Sequence, residues 1–178
     1  AYKGAFLEHI ISHSDANTFV VDSQFLERYN TIQDRLDIKS VIYLTSGEID
    51  SKLIPENAFN YSKLLQCSSS SPEPVALKES DISDITYTSG TTGISKGAVL
   101  PQNKYICQGN LFAQWIKITP KDTIYTCLPL FHGNARVLST MGTLTANASL
   151  ALGKKFTASR FWDMMRAYNV VEFNYIGG

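Results

Sequence analysis

Residues Ile85 to Lys96 read I-T-Y-T-S-G-T-T-G-I-S-K, a short apolar run ending in a Ser/Thr/Gly loop that delivers a lysine. Such a loop crowds backbone N–H groups and hydroxyls into a small space and places a cation at its end, the chemistry that holds a polyphosphate. Gly90 and Gly93 open backbone conformations closed to other residues and let a ligand approach where no Cβ intervenes. Ser89, Thr91 and Thr92 add short donors, and Lys96 adds a compact charge suited to a phosphate oxygen. The Walker loop G-x-x-x-x-G-K-[ST] does not fit, because Ser95 precedes the lysine and Gly97 follows it. The plain alternative is a Ser/Thr/Gly-rich surface turn with no ligand.

A second stretch, Leu128-Pro129-Leu130-Phe131-His132-Gly133, comes after a strand-like segment and opens a helix-like one. That puts it at the carboxyl end of a strand, where open α/β sheets bind ligands. Other candidates are weaker. His9 and His13 lie four apart, but no third ligand accompanies them and Glu8 precedes both, so H-E-x-x-H is absent. They read as solvent-facing helix residues, and no metal site is assigned. Arg28, Arg35, Lys154, Lys155 and Arg160 are separated charges without interleaved aromatics, which argues against a nucleic-acid groove. Phe161, Trp162, Met165 and Tyr168 form a helical stripe that reads as core.

The elements that must carry these residues alternate. A helix-period stripe covers Gly4 to Ser14, and Thr18 to Val21 is a short β-branched run. Asp22-Ser23 caps a helix predicted through Leu36, with Phe25, Leu26, Tyr29 and Ile32 on one face. Val41 to Leu44 reads as a buried strand and Phe59 to Leu65 as a short helix. Cys67 to Pro74, C-S-S-S-S-P-E-P, is the linker candidate. Beyond it come strands at Asp84–Thr88 and Gly97–Leu100, then a helix from Pro101 to Ile116 with the proline in its first turn. A strand at Ile124–Cys127, a helix at Ala135–Leu144 and a strand at Ser149–Leu152 come next. A helix ending at Tyr168 and a strand at Val170–Tyr175 close the chain. Strands alternating with amphipathic helices imply an α/β fold with parallel sheets flanked by helices. The division expected is one lobe over residues 1–74 and a second, carrying the phosphate loop, over 75–178.

The 178 residues carry sixteen basic and sixteen acidic side chains, so no global field favours nucleic acid or an anionic membrane. Three cysteines without C-x-x-C spacing argue against a disulfide framework and favour a reducing, cytoplasmic setting. The apolar runs are too short for a transmembrane segment.

The segment Tyr87 to Gly97 closely resembles the phosphate-binding signature Y-T-S-G-T-T-G-x-P-K-G of the adenylate-forming enzymes, with Ser95 in place of proline. That superfamily comprises acyl-CoA synthetases, luciferase and peptide-synthetase adenylation domains. The stretch ending in His132 resembles the P-L-F-H segment of its acyl-CoA synthetases, and the R-F-W segment near Arg160 is faintly similar to carnitine/crotonobetaine-CoA ligases. The resemblance implies part of the large N-terminal domain of such an enzyme. It implies that Thr88, Ser89, Gly90, Thr91, Thr92, Gly93 and Lys96 bind ATP, with Mg²⁺ bridging phosphate oxygens. It implies that Phe131, His132 and Gly133 line the acyl-carboxylate pocket, with Lys96 and His132 as the catalytic pair. The implied reaction activates a carboxylic acid as an acyl-adenylate and passes the acyl group to coenzyme A. The family's later motifs are not found after Lys96, so the chain is expected to be an internal piece lacking the C-terminal domain and inactive alone. Two departures, Ser95 and Gln102 where a histidine often stands, bear on fine positioning. A non-catalytic nucleotide-binding module, and a vestigial loop on an association domain, are the alternatives from other classes.

Overall fold

The computed structural model describes residues 2–45, 47–67, 71–88 and 94–176. The chain folds as two compact units, Ala1–Ala76 with Asp84–Val99, and Leu77–Ser83 with Leu100–Gly178. Residues 84–99, which a cut after residue 74 groups with the second half, pack with the first unit. The architecture is α/β, with parallel sheets flanked by helices.

The first unit opens with α1 (Gly4–His13), then β1 (Thr18–Asp22), α2 (Leu26–Asn30), β2 (Ser40–Leu44), β3 (Ala58–Asn60) and α3 (Tyr61–Cys67). Its three strands pair in the order β1-β2-β3, both pairs parallel, with Val41 in register with Phe19 on one side and Ala58 on the other. β2 is central, and its β-branched Val41 is fully buried. Leu26 and Tyr29 close over it, and the Tyr29 ring stacks on Phe19 with centroids 5.0 Å apart. Each such side chain contributes about 1.5–3 kcal/mol by leaving water.

The helix predicted from Asp22 to Leu36 is broken. A 3₁₀ turn at Ser23–Phe25 precedes α2 and another at Gln33–Arg35 comes after it. Most of the apolar face survives: Leu26, Tyr29 and Ile32 are buried, whereas Phe25 is exposed. Helical continuity is lost to side chains that compete for backbone partners: Thr31 Oγ1 donates to Arg28 O at 2.8 Å, and Asn30 Nδ2 donates to Leu53 O at 2.9 Å. The predicted cap is real, with Asp22 Oδ1 accepting from Gln24 N at 3.0 Å. β3 occupies the start of the segment predicted to be helical from Phe59.

Two further strands, β4 (Ile82–Thr88) and β5 (Lys96–Pro101), pair with each other. Pro101 ends β5 and is the N-cap of α4 (Gln102–Trp115), so it stands one place before the helix instead of inside its first turn. In the second unit, α4 leads to β6 (Thr123–Thr126), a π-helix at Asn134–Met141, α5 (Gly142–Thr145), β7 (Ser149–Leu152), α6 (Ala158–Ala167) and β8 (Val170–Phe173). The sheet order is β7-β6-β8, again all parallel, and the central residues Ile124, Tyr125 and Thr126 are buried.

The apolar stripe on α6 is only half core. Phe161 meets Tyr125 and Phe173 edge-on at 6.0 and 5.0 Å, and Met165 is buried. Trp162 and Tyr168 remain 61% and 57% exposed.

Candidate functional site

Tyr87 and Thr88 end β4, and Lys96 begins β5, so the two paired strands bracket residues 89–95 and present Thr88 and Lys96, both exposed, at their ends. Ser89, Gly90, Thr91, Thr92 and Gly93 lie outside the described residues. Ser95 is buried, and Gly97 lies under the side chains of Ile85 and Tyr87. A Cβ on Gly97 would stand 2.6 Å from Ile85 Cγ2 and 3.3 Å from Tyr87 Cζ, so glycine is needed there for space.

The histidines of α1 have partners: His13 is exposed, as expected, and His9 is half-buried, and each makes a contact with the arms. His13 Nδ1 lies 2.8 Å from the Tyr87 hydroxyl, and His9 Nε2 lies 3.2 Å from the Ser95 carbonyl oxygen. Burial and the nearby negative charge of Asp15 push the Tyr87 phenol above its ordinary pKa, so it stays protonated and keeps its hydrogen-bonding proton.

In the second unit, the segment from Cys127 to Gly133 leaves the carboxyl end of β6, the central strand. Thr126 Oγ1 accepts from Leu128 N at 3.2 Å, and a turn closes with His132 N donating to Pro129 O at 2.9 Å. Phe131 and His132 are exposed, and the position beside Gly133 is open, since a Cβ there would meet nothing within 4 Å. His132 Nδ1 accepts from the Asn134 backbone N–H at 3.3 Å. A backbone N–H can only donate, so Nδ1 is the acceptor in this contact and Nε2 takes no part in it. An imidazole at a strand's carboxyl end, with Nε2 as its remaining ring nitrogen, suits a carboxylate or acyl oxygen.

The ordinary α-helix predicted over residues 135–144 is instead a π-helix over Asn134–Met141, with α5 beginning only at Gly142. Thr140 Oγ1 donates to Ala135 O, five residues back, at 2.8 Å. Wide turns of this kind occur frequently at functional sites. Within the π-helix, Ser139 is fully buried and its Oγ accepts from Asn174 Nδ2 at 2.7 Å, tying it to the residue just past β8. Asn134 Oδ1 is buried without a hydrogen-bond partner among the described residues, two residues from His132.

Lys96 and His132 therefore belong to different units, each at one end of a strand or just beyond it. Sequence reasoning missed the His9 and His13 contacts and the backbone N–H that meets His132 Nδ1. Helical spacing on α1 was the only local signal for the first. Among the described residues no group of three or more His, Cys, Asp or Glu could cage a metal ion, and no helix is long and apolar enough to cross a membrane.

A family model described as AMP-binding enzyme matches residues 1–176. Over 103 residues the chain is 38% identical to a medium/long-chain-fatty-acid–CoA ligase of Mycobacterium tuberculosis, covering 57% of this chain and 17% of that protein. Over 129 residues it is 35% identical to human long-chain fatty acid transport protein 6, covering 70% of this chain and 20% of that protein. Among solved structures, an anthranilate CoA ligase in complex with anthranoyl-AMP superposes with a TM-score of 0.81 at 18% identity, covering 97% of this chain and 33% of that one. At that identity the likeness is one of fold. A long-chain-fatty-acid-CoA ligase of Archaeoglobus fulgidus superposes with a TM-score of 0.74 at 27% identity, covering 97% of this chain and 32% of that one.

Proposed function

The chain belongs to the AMP-binding enzyme family, and from that premise we propose that the protein carrying it activates a fatty acid of medium to long chain with ATP and transfers it to coenzyme A. In the first step a carboxylate oxygen attacks the α-phosphorus of ATP, pyrophosphate leaves and an acyl-adenylate remains. In the second, the coenzyme A thiolate attacks the acyl carbon, a thioester forms and AMP leaves. Such chemistry depends on position and on neutralising charge. The single observation that carries this reading is the segment Tyr87 to Gly97, held by two paired strands that deliver Thr88 and Lys96.

The roles come from residue chemistry. Backbone N–H groups and hydroxyls of Thr88, Ser89, Gly90, Thr91, Thr92 and Gly93 hold the β- and γ-phosphates, and the Lys96 ammonium offsets their charge. His132, through Nε2, orients the acyl carboxylate, while Phe131 and Gly133 shape the space around it. Mg²⁺ arrives on the nucleotide and spreads the phosphate charge. The fatty-acid preference is supported by what the two curated relatives are named for. A reducing, cytoplasmic site fits three free cysteines, Cys67, Cys107 and Cys127.

The test is product analysis. The protein carrying this chain is incubated with ATP, Mg²⁺, coenzyme A and acids from C4 to C20, and AMP and acyl-CoA are quantified. Equal amounts of AMP and acyl-CoA, with longer acids preferred, are expected. Nucleotide binding without AMP release for any acid would replace the enzyme with a non-catalytic nucleotide-binding module.

A further inference from the structure

Both residues flanking Lys96 are tied, directly or through one side chain, to a single helix. On the amino side, the Ser95 carbonyl oxygen accepts from His9 Nε2 at 3.2 Å. On the carboxyl side, Gly97 lies under the Tyr87 ring, and the Tyr87 hydroxyl is 2.8 Å from His13 Nδ1. His13 and Tyr87 also meet edge-on, with ring centroids 5.7 Å apart, while the two histidine rings lie 5.3 Å from each other. The contacts bridge 86 and 74 residues of sequence, so local chain stiffness does not produce them.

We propose that His9 and His13 are positioning residues for Lys96: one helical turn apart on α1, they clasp the two arms that set where the lysine backbone sits. The proposal rests on the reading of Lys96 as the cation that meets the ATP phosphates. The clasp is seated on a firm base. Ile11, between the two histidines in sequence, is buried, and Arg35 Nε pairs with Glu8 Oε2 at 2.8 Å beside them. The need for a clasp is also physical. Ser95 has no ring to fix its φ, so the backbone just before Lys96 is free to turn unless its carbonyl is held. A lysine has a flexible four-carbon stem, and fixing its Cα is the part of its placement that the backbone controls.

The geometry also specifies its own substitutes. A glutamine at position 9 carries an amide nitrogen where the His9 Nε2 is, and an asparagine at 13 can turn either its amide oxygen or its amide nitrogen to where the His13 Nδ1 is. The protein carrying this chain is assayed for Mg·ATP binding by titration and for acid-dependent pyrophosphate exchange at varied ATP and varied acid. His9→Ala and His13→Ala are each expected to lower kcat/KM for ATP by about tenfold, the worth of one positioning hydrogen bond. KM for the acid should stay within about twofold, since the acyl side is not touched. His9→Gln and His13→Asn should recover most of the loss. Tyr87→Phe combined with His13→Ala should be no worse than either alone, because the two share one contact.

Equal losses for ATP and acid, failure of the isosteric variants to recover activity, or additive losses in the double variant would each overturn the clasp. Exchange by the wild type with no ATP effect in either alanine variant would overturn it while leaving the enzymatic reading intact. A wild type that neither binds ATP nor exchanges would remove both.

Discussion

Gly109 of α4 lies so close to Met141 that a Cβ on it would stand 2.7 Å from the carbonyl carbon and oxygen of that residue. The approach is mutual: a Cβ on Gly142, the next residue, would stand 2.7 Å from Phe112 Cδ1 on α4. Two glycines thus let α4 and the end of the π-helix pack backbone to backbone, and that π-helix carries the residues soon after His132.

Gly109→Ala is therefore expected to destabilise the protein. Alanine gains about 1 kcal/mol over glycine in a helix interior. Overpacking costs about 1–3 kcal/mol, and here the obstacle is backbone, which cannot swing aside as a side chain can. The clash wins. Urea unfolding should show a lower midpoint with an unchanged slope; a raised midpoint would mean that α4 and the π-helix are further apart than described.

The same packing shows what the sequence carries and what it hides. Thr18 to Val21 and Val41 to Leu44 are short β-branched runs between amphipathic segments, and they are the paired parallel strands β1 and β2. The phosphate-loop arms and the exit of β6 are legible for the same local reasons. The π-helix is not, because over eight residues an apolar pattern does not separate a turn of 3.6 residues from a wider one. Contact with α4 at Gly109 and Gly142 is a tertiary matter. The His9 and His13 contacts reach across most of the first unit's sequence, and no periodicity on α1 encodes their partners. On the segment after β1, burial spacing is legible and helical continuity is not, since Asn30 and Thr31 commit their side chains to backbone carbonyls.

Asp122 gives a pH dependence whose sign is fixed. Its carboxylate accepts from Thr119 N at 2.7 Å and Thr119 Oγ1 at 2.8 Å, and these bonds hold its pKa below the ordinary value. A carboxyl group whose folded pKa is depressed stabilises the fold above its unfolded pKa, about 4, and loses that contribution as pH falls through the folded value. Asp122 sits just ahead of β6, and its carbonyl oxygen accepts from Ser149 N at 3.0 Å, at the start of β7. Asp122→Asn should flatten the acid limb of a Tm-against-pH curve below about pH 5. An unchanged limb would show that these hydrogen bonds are not kept in solution.

Gly97 has its own test. A Cβ there meets Ile85 Cγ2 at 2.6 Å and the Tyr87 ring at 3.3 Å, both side chains, so the neighbours must shift. Gly97→Ala should raise KM for ATP by about tenfold or more, because the Tyr87 ring is displaced beside Lys96, while overall stability falls by about 1 kcal/mol. Comparable ATP kinetics in wild type and variant, measured on protein of matched Tm, would separate the Tyr87 arm from nucleotide binding.

The most direct measurement is exchange of labelled pyrophosphate into ATP, driven by a long-chain acid, in wild type, Lys96→Ala and His132→Ala. The wild type should exchange only when acid is present. Loss of the Lys96 charge should slow exchange by about 10²–10³-fold with KM for the acid little changed. Loss of His132 should fall on the acid side instead, raising KM for the acid and lowering the rate. Exchange at the wild-type rate in Lys96→Ala would contradict the phosphate role of the Tyr87–Gly97 segment, and with it the reading of this chain as the adenylating part of an acyl-CoA ligase.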